Sequence, residues 1–507
     1  MKTNIQKRRI FINAIMSLMQ TVLIAGVLFF LYGFLLKTIG VEQFGIWSLV
    51  LSTTSVLQVA NFGLSGSVVK FVAKYMAREE YNNVSGVIQT AVISIALIVG
   101  FSLILGFPLI KWILGLVVPA SSLKLALLIL PFALLSLWLT TIISVFHSGL
   151  DGFQKIYIRN ILMIINSLFF AILCFIFAPK YGLIGLAYAQ LINNFLILIV
   201  SWILLKRFIQ SLPIIPYQWN KNLFKEIISY GINFQIISVA TMFAEPTVKA
   251  LLGKFGGLSM VGYYEMANKM IQQFRALIVS ANQVLVPAIA DLNEKNSERI
   301  RSVYLTNYNL LFYLAVPLYT LIIISAPFIS EIWIGHYERT FVVFVILLAV
   351  GWFLNTLNVP SYFANLGTGE LRWNVIGHIS TAILNVLFGI ILGVLFDGYG
   401  VVIAWVLALS LGSAVIYIAY HLTHKIPLSE LFPRDSRVMF VFCIFIALFS
   451  LLIQIKLNHT IKTVAFNITI ILLSSILIFI LSYFHPMRKR LMVWLSELLY
   501  NYKKGEA

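Results

Sequence analysis

The chain has 507 residues, of which 60% are hydrophobic and only 11% are charged, and it contains 39 Phe. A soluble domain carries about 25% charged residues, so this composition excludes a soluble globular protein and predicts an integral membrane protein. The formal net charge of +18 does not predict a nucleic-acid partner, because the basic residues of polytopic membrane proteins collect in cytoplasmic loops.

About fourteen apolar stretches are long enough for a helix to cross a bilayer, which takes about 20 residues. Short connections join them. We predict spans near 10–36, 44–66, 87–110, 123–146, 156–178, 183–205, 230–252, 259–284, 304–327, 341–365, 373–396, 400–421, 437–456 and 461–484. The predicted fold class is therefore an all-α polytopic membrane protein without a sizeable soluble domain.

Alternate connections differ in their Lys and Arg content. Most of the 36 basic residues fall in the set that includes both termini, such as Lys70, Lys74 and Arg78 after the second span. By the positive-inside rule this set is cytoplasmic, so we expect both termini in the cytoplasm. The stripe at Lys70 is either ordinary positive-inside charge or a funnel for an anionic head group. The longest connection, 206–229, is in the same set, and its amphipathic part at 219–228 is expected on the inner membrane surface.

The two halves of the chain share landmarks in the same order. Four pairs recur about 217 residues apart: Gly40 with Gly256, Phe44-Gly-Ile-Trp47 with Val261-Gly-Tyr-Tyr264, Gly149 with Gly367, and Gly182 with Gly400. A repeat of six helices keeps its orientation, so the spacing predicts two parallel six-helix repeats related by an axis along the membrane normal. The predicted units are an N-terminal lobe at 1–210, a C-terminal lobe at 211–425, and two further helices with a tail at 426–507.

Five ionisable side chains lie inside predicted spans: Glu245 and Lys249 in the seventh, and Glu265, Lys269 and Arg275 in the eighth. A charge at the bilayer centre costs about 2.5–3.5 kcal/mol on insertion scales, so such residues are candidates for function. Residues four apart share a helix face, so each Glu can pair with the Lys that follows it. Under one interpretation the pairs are clamps between helices. Under the other, which we favour for Lys269 and Arg275, these residues face a wet cavity.

Neutral polar side chains accompany the charges. Gln272 extends the polar face of the eighth span, Asn355 and Asn358 lie in the tenth span beside Pro360, and His378 lies in the eleventh. Helix–helix hydrogen bonding explains many such side chains, and a lone histidine is more often a core residue than a proton relay. Several wet faces in one chain nevertheless favour a central polar cavity. Pro360 should kink or break its helix.

The sequence lacks the signatures of an enzyme. Cys174 and Cys443 lie in apolar runs without a partner at metal-ligand spacing, so we expect no disulfide, no metal site and no cofactor. There is no phosphate-binding loop of the ATPase type. No outer connection is long enough to hold a glycosyltransferase or polymerase site. We therefore expect a function that is not enzymatic.

Four segments within about residues 1–425 resemble a known family: Leu35-Leu-Lys-Thr-Ile-Gly-Val-Glu-Gln-Phe-Gly-Ile-Trp47, Asn61-Phe-Gly-Leu64, Gly149-Leu-Asp-Gly-Phe-Gln154, and Val261-Gly-Tyr-Tyr-Glu-Met-Ala267 with Pro287 after it. In these segments the chain is similar to the polysaccharide transporters, the O-antigen and lipid-linked oligosaccharide flippases of the multidrug/oligosaccharidyl-lipid/polysaccharide (MOP) exporter superfamily. The resemblance implies a V-shaped pair of six-helix lobes that alternate access across a bacterial inner (cytoplasmic) membrane.

The resemblance also implies a substrate and the residues that bind it. The substrate would be a short oligosaccharide on a polyprenyl diphosphate, such as an O-antigen (lipopolysaccharide), capsule or exopolysaccharide repeat unit, moved from the inner to the outer leaflet. A cationic cavity would accept the diphosphate while the tail stays among the membrane lipids. By position, Lys269, Arg275, Lys249 and Lys70 would serve. The expected protein partners are the polysaccharide polymerase and glycosyltransferases of the pathway.

Three alternatives stay open at this point. The first is a multidrug cation antiporter of the same superfamily, which the Lys four residues after each of Glu245 and Glu265 disfavours. The second is a membrane enzyme of the sugar pathway, a polymerase or ligase, which the short outer connections disfavour. The third is a scaffold in a biosynthetic complex. Position alone also makes Glu245 or Glu265 a hypothetical site for a coupling proton or sodium ion.

Overall fold

A computed structural model describes residues 2–229, 242–282, 285–457 and 464–493. Within these ranges every regular element is a helix. Nine helical segments of the described chain are long and apolar enough to cross a membrane. The predicted all-α polytopic fold is therefore confirmed.

The first of two compact units comprises residues 12–262. A short 3₁₀ helix at Val56–Asn61 joins its first two helices. The helices are α1 (Lys2–Ser55), α2 (Leu64–Ala77), α3 (Tyr81–Val117), α4 (Ala120–Gly152), α5 (Ile156–Phe208), α6 (221–229) and α7 (Ala244–Phe255). The apolar runs of α1, α3, α4 and α5 make these helices the spanning part of the unit.

The second compact unit comprises residues 1–11 and 263–507. Its last two long helices pack on α10, where the Gln454 side-chain amide donates to the carbonyl of Ile324 at 3.2 Å and the Tyr313 hydroxyl donates to the carbonyl of Ser482 at 3.0 Å. The helices are α8 (Leu258–Asn282), α9 (Leu285–Lys295), α10 (Glu298–Ile334), α11 (Arg339–Thr356), α12 (Val359–Thr368), α13 (Arg372–Thr423), α14 (Arg437–Leu457) and α15 (Val464–Phe484).

These units are defined by packing, whereas the predicted lobes at 1–210, 211–425 and 426–507 are defined by internal correspondence. The packing therefore does not test those boundaries, which stay a prediction. Most of the seventh predicted span, 230–252, lies outside the described residues up to 241. Its described end is α7. The eighth predicted span coincides with α8, which is not among the nine segments that are long and apolar enough to cross a membrane, so this span stays a prediction.

Three of the long helices each contain two predicted spans. The backbone departs from helical geometry at Gly40 (φ 80°) in α1, at Gly182 (φ 57°) in α5, and at Asp397 (φ 52°) in α13. A positive φ redirects the chain within one residue, and Gly adopts it without a steric penalty. The predicted outer connections between these spans are therefore sharp kinks rather than loops. Pro360 lies where α11 gives way to α12, as predicted.

The same helix packing recurs in both halves of the chain. A Cβ on Gly152 of α4 would lie 2.7 Å from the Cβ of Val72 and 3.0 Å from the carbonyl oxygen of Val69 in α2. A Cβ on Gly367 of α12 would lie 2.9 Å from the Cβ of Ile289 and 3.0 Å from the carbonyl oxygen of Val286 in α9. The counterpart of Gly367 is thus Gly152, not the Gly149 that the sequence comparison paired with it.

A second correction has the same three-residue shift. Gly185 and Gly400 both pack on a carbonyl of their own kinked helix, that of Phe177 and of Leu392 respectively, with no room for a Cβ. The kinks themselves lie three residues earlier in each case, at Gly182 and Asp397. Gly182 therefore corresponds to Asp397, because the two residues share a backbone role rather than a residue type.

Gly45 and Gly262 mark a close crossing of α1 and the first turn of α8, whose residues 258–262 belong to the first unit. A Cβ on Gly262 would lie 2.5 Å from the carbonyl oxygen of Val41, and a Cβ on Gly45 would overlap the carbonyl oxygen of Leu258. Val41 and Leu258 are 217 residues apart, as are Gly45 and Gly262. The contact is therefore reciprocal, as at a twofold interface, and it explains the glycine in both Phe44-Gly-Ile-Trp47 and Val261-Gly-Tyr-Tyr264.

Candidate substrate-binding site

Arg275 on α8 lies against an aromatic side chain of α11. The centre of its guanidinium group is 5.0 Å from the centroid of a Trp352 ring. The indole N–H of Trp352 donates to the side-chain oxygen of Asn268 at 2.8 Å. Asn268 is seven residues before Arg275 and so shares its helix face. The Asn268 hydrogen bond fixes the ring on which the guanidinium rests.

No carboxylate among the described residues forms a salt bridge with Arg275. Its Nε atom has no hydrogen-bond partner in the described part of the chain, although the residue is half-buried. Tyr319 of α10 and His378 of α13 lie within electrostatic range of it. A cation that is partly removed from water and has no counter-ion is unfavourable. An arriving anion would therefore be stabilised here.

Lys269 and Gln272 continue this surface of α8. Both residues are half-buried, whereas Glu265 is buried. At about 100° per residue, Gln272 lies between Lys269 and Arg275 around the helix, about 60° from each. The predicted polar face of the eighth span is thus a single helical surface that carries two cations.

His378 lies beside Tyr362 of α12, with the two rings nearly perpendicular and their centroids 5.7 Å apart. The two predicted asparagines are buried and engaged. The side-chain amide of Asn355 donates to the hydroxyl of Ser413 at 2.8 Å, and the backbone carbonyl of Asn358 accepts from the N–H of Tyr362 at 2.9 Å. The side-chain contact favours the interpretation that Asn355 joins α11 to α13. The Asn358 contact is a backbone bond at the start of α12 and does not test its side chain.

Glu245 and Lys249 form the ion pair that their spacing predicts. The Lys249 Nζ is 2.7 Å from the Glu245 carboxylate, and the two side chains are 3% and 32% exposed. Both lie in the first compact unit, whereas Lys269, Arg275 and His378 lie in the second. The burial of the Lys249 ammonium beside a carboxylate favours the clamp interpretation for this pair.

The basic stripe of α2 has an acidic neighbour that the sequence did not reveal. The Lys74 ammonium donates to one oxygen of Glu226 in α6 at 2.6 Å, and the Tyr75 hydroxyl donates to the other at 3.1 Å. The hydrogen bond from Lys74 lowers the pKa of Glu226, and the same bond raises the pKa of Lys74. Lys70, four residues earlier, is exposed. The predicted funnel is therefore partly neutralised by the chain itself.

Trp352 and Tyr319 are the site residues that sequence reasoning missed. Both are aromatic residues in apolar spans, where such residues are common, and neither is near Arg275 in the chain. The sequence does show that Arg275 has no acidic residue three or four positions away. Arg275 therefore has no ion-pair partner on its own helix face, which is the signal that could have indicated a partner on another helix.

Comparison with known proteins places the chain in a family. The sequence profile of a family described as polysaccharide biosynthesis protein matches residues 10–293, more than half of the chain. The chain belongs to this polysaccharide biosynthesis protein family. No curated protein matches the chain in sequence.

Solved structures with the same fold are transporters of the MOP superfamily. An inward-facing multidrug resistance MATE family transporter has a TM-score of 0.70 at 17% identity, over 81% of this chain and 98% of that one. The lipid II flippase MurJ in an inward closed conformation has a TM-score of 0.66 at 15% identity, over 93% and 97%. A MOP superfamily transporter from Pyrococcus furiosus has a TM-score of 0.58 at 16% identity, over 82% and 95%. Together with the family match, this shared fold confirms the resemblance inferred from the sequence.

Proposed function

We propose that the chain is a flippase that moves a polyprenyl-diphosphate-linked oligosaccharide, such as an O-antigen, capsule or exopolysaccharide repeat unit, across the bacterial cytoplasmic membrane by alternating access. Both termini lie in the cytoplasm, and the pathway's polymerase and glycosyltransferases are its neighbours. The family match and the fold shared with a lipid II flippase support this proposal. The observation that carries it is Arg275, a half-buried cation that forms no salt bridge with a described carboxylate.

A diphosphate suits this site chemically. A guanidinium group offers two parallel N–H donors to phosphate oxygens, and such charge-assisted hydrogen bonds are stronger than neutral ones. Trp352 covers a face of Arg275, so the guanidinium edge is the part that donates. Lys269 on the same helix adds a second positive charge toward a head group with two phosphates. The cycle makes and breaks no covalent bond, so it needs no catalytic residue.

The multidrug cation antiporter is the second candidate, because a MATE transporter has the highest TM-score of the structures compared above. A cationic substrate prefers carboxylates at its site. Around Arg275 the described residues supply a cation, aromatic rings and a histidine instead. The charge of the site therefore favours an anionic head group.

Flipping in proteoliposomes tests the proposal. A fluorescent polyprenyl-diphosphate oligosaccharide is followed with wild type, Arg275→Ala, Lys269→Ala and a control, Lys295→Ala, whose ammonium pairs with Asp291 on the surface. We expect wild type and Lys295→Ala to flip the lipid, and Arg275→Ala to lose at least tenfold in rate. If the wild-type protein in liposomes exported a lipophilic cation but did not flip the lipid, the antiporter function would be established instead.

A further inference from the structure

The connection between α5 and α6 is held along the first part of α3. We refer to residues 209–220 as the linker segment. The side-chain oxygen of Gln89 accepts from the backbone N–H groups of Tyr217 and Gln218, each at 3.2 Å. Further bonds join Ser85 Oγ to the carbonyl of Ser211 (3.0 Å), Asn220 N to Thr90 Oγ1 (3.2 Å) and Trp219 Nε1 to Ser94 Oγ (3.0 Å). Three polar side chains of α3 thus bond the non-helical backbone of the linker segment, and a fourth, Ser94, accepts from the Trp219 indole.

The linker segment exposes its large apolar side chains. Ile214 is 76% exposed, Ile215 74% and Tyr217 71%. Their position is fixed, because the Trp202 indole on α5 donates to the carbonyl of Ile214 at 2.8 Å. A contiguous apolar patch of this kind marks a surface that binds a protein or a membrane.

The depth of the linker segment follows from the exposure of α3. The exposed apolar side chains of α3 begin at Leu97 and recur to Leu116, whereas most residues of α3 from Val84 to Ile95 are buried. At 1.5 Å per residue, the exposed belt is about 30 Å long, which matches the hydrocarbon thickness of a bilayer. Ser94, which accepts from Trp219, is one helical turn beyond the belt. The linker segment therefore lies at the membrane boundary.

Positive charge flanks the apolar patch on both sides. Arg207 at the end of α5 and Lys221 and Lys225 on α6 are exposed. The only carboxylate between residues 206 and 229 is Glu226, which accepts from Lys74 and Tyr75. Basic clusters at a membrane boundary attract the anionic phospholipids of the adjacent leaflet. The charge and the depth together select a lipid surface over a protein partner.

We propose that residues 207–225 form a membrane anchor, which inserts Ile214, Ile215 and Tyr217 into the leaflet on the Lys/Arg-rich side and binds anionic phospholipid head groups through Arg207, Lys221 and Lys225. The anchor holds α6 and the end of α5 at a fixed depth. It is separate from Arg275 and does not depend on which substrate the protein moves.

A fluorophore on the full-length protein in liposomes tests insertion. Cys174 and Cys443 are buried, so an environment-sensitive thiol dye labels an introduced cysteine selectively. We expect Ile215→Cys to give blue-shifted emission that lipids with a shallow spin label quench. The control Lys295→Cys, exposed on α9, should report water. Water-like emission at Ile215→Cys would overturn the anchor and leave the patch to a protein partner.

The head-group preference is tested by comparing how strongly the protein associates with spin-labelled phosphatidylglycerol and with spin-labelled phosphatidylcholine. The triple variant Arg207→Gln, Lys221→Gln, Lys225→Gln should lower the preference for phosphatidylglycerol several-fold. A matched triple, Lys37→Gln, Lys124→Gln, Lys180→Gln, changes three exposed lysines of the predicted outer side and should keep the preference. An equal loss in both triples, or no loss in the first, would refute the proposal.

Discussion

At the scale of single residues, the site depends on how Arg275 is held. Its guanidinium rests on Trp352, and Trp352 is oriented by the oxygen of the buried Asn268. A cation over an aromatic face gains about 0.5–2 kcal/mol, more when water is excluded. The aromatic ring therefore stabilises the charge in the substrate-free protein without supplying the counter-ion that the proposed anionic head group would bring.

Substitution of Trp352 separates these contributions. Trp352→Phe keeps an aromatic face but removes the N–H donor to Asn268, so we expect flipping to fall several-fold. Trp352→Leu removes the aromatic face as well, so we expect its rate of flipping to fall more than tenfold. The rate of flipping in proteoliposomes measures both. Trp112→Phe, at an exposed tryptophan of α3, is the control, and equal rates for Trp352→Leu and wild type would remove Trp352 from the site.

The Glu226 ion pair predicts how the attachment of α6 depends on pH. The pKa of Glu226 is lowered from an ordinary 4.5 and that of Lys74 is raised from an ordinary 10.5. The stabilisation of α6 by the ionised Glu226 carboxylate is thus complete above about pH 4.5 and is lost as the pH falls through its lowered pKa. The stabilisation of α6 by the Lys74 ammonium is complete below about pH 10.5 and is lost as the pH rises through its raised pKa.

Hydrogen exchange of residues 221–229, corrected for its intrinsic pH dependence, measures this attachment. We expect constant protection between about pH 5.5 and 10, and a decrease below pH 4.5. Glu226→Gln removes the charge and should lower protection at neutral pH and abolish the acid decrease. If the protection of residues 221–229 in Glu226→Gln still fell below pH 4.5, a group other than Glu226 would control that decrease.

At the scale of elements, glycines set the helix contacts. Gly152 brings α4 against the backbone and side chain of α2, and neither the Val72 Cβ nor the Val69 carbonyl can move without shifting the helix. We expect Gly152→Ala to destabilise the protein by about 1–3 kcal/mol, the usual cost of overpacking. The apparent melting temperature in detergent measures this loss.

Gly115 in α3 supplies the control for that prediction. It has an ordinary helical φ and open space around it. Gly115→Ala should therefore leave the melting temperature unchanged or raise it, since Ala favours helix over Gly by about 1 kcal/mol. If both variants lost the same stability, helix packing at Gly152 would not be the cause.

Sequence patterns predicted the elements better than their joints. The apolar runs were sufficient to place α3, α4, α10 and the last two helices, because a span needs a fixed length of apolar sequence. The kinks were missed because a loop of a few residues and one residue with positive φ leave similar sequences. Asp397 shows why. Asp adopts a positive φ more readily than most residues other than Gly, but the sequence comparison followed the nearby Gly400, which is used for a close carbonyl contact instead.

The site was predictable only in part, for a related reason. Arg275 and Lys269 stand out because charge is rare in spans. Trp352 contacts Arg275 from one other helix, and Tyr319 and His378 lie within electrostatic range of it on two more. A single sequence carries no signal of which helices meet at which height. The i+4 spacing did predict the pair of Glu245 and Lys249, because that contact is local.

At the scale of the whole molecule, the fold does not select a substrate. Multidrug transporters and a lipid II flippase share it with this chain at 15–17% identity, and one fold supports many functions. The family match directs the chain to polysaccharide biosynthesis, and the positive charge of the site on α8 favours an anionic head group within that pathway. Discrimination between head groups of different charge is therefore the property that follows most directly from the proposal.

The most direct measurement compares flipping of the same oligosaccharide on a polyprenyl diphosphate and on a polyprenyl monophosphate. Wild type and the Lys295→Ala control should flip the diphosphate at least tenfold faster, since hydrogen bonds to charged groups contribute about 1.5–3 kcal/mol. Arg275→Ala should bring the two rates close together. An unchanged ratio of the two rates in Arg275→Ala would contradict the claim that Arg275 binds the diphosphate.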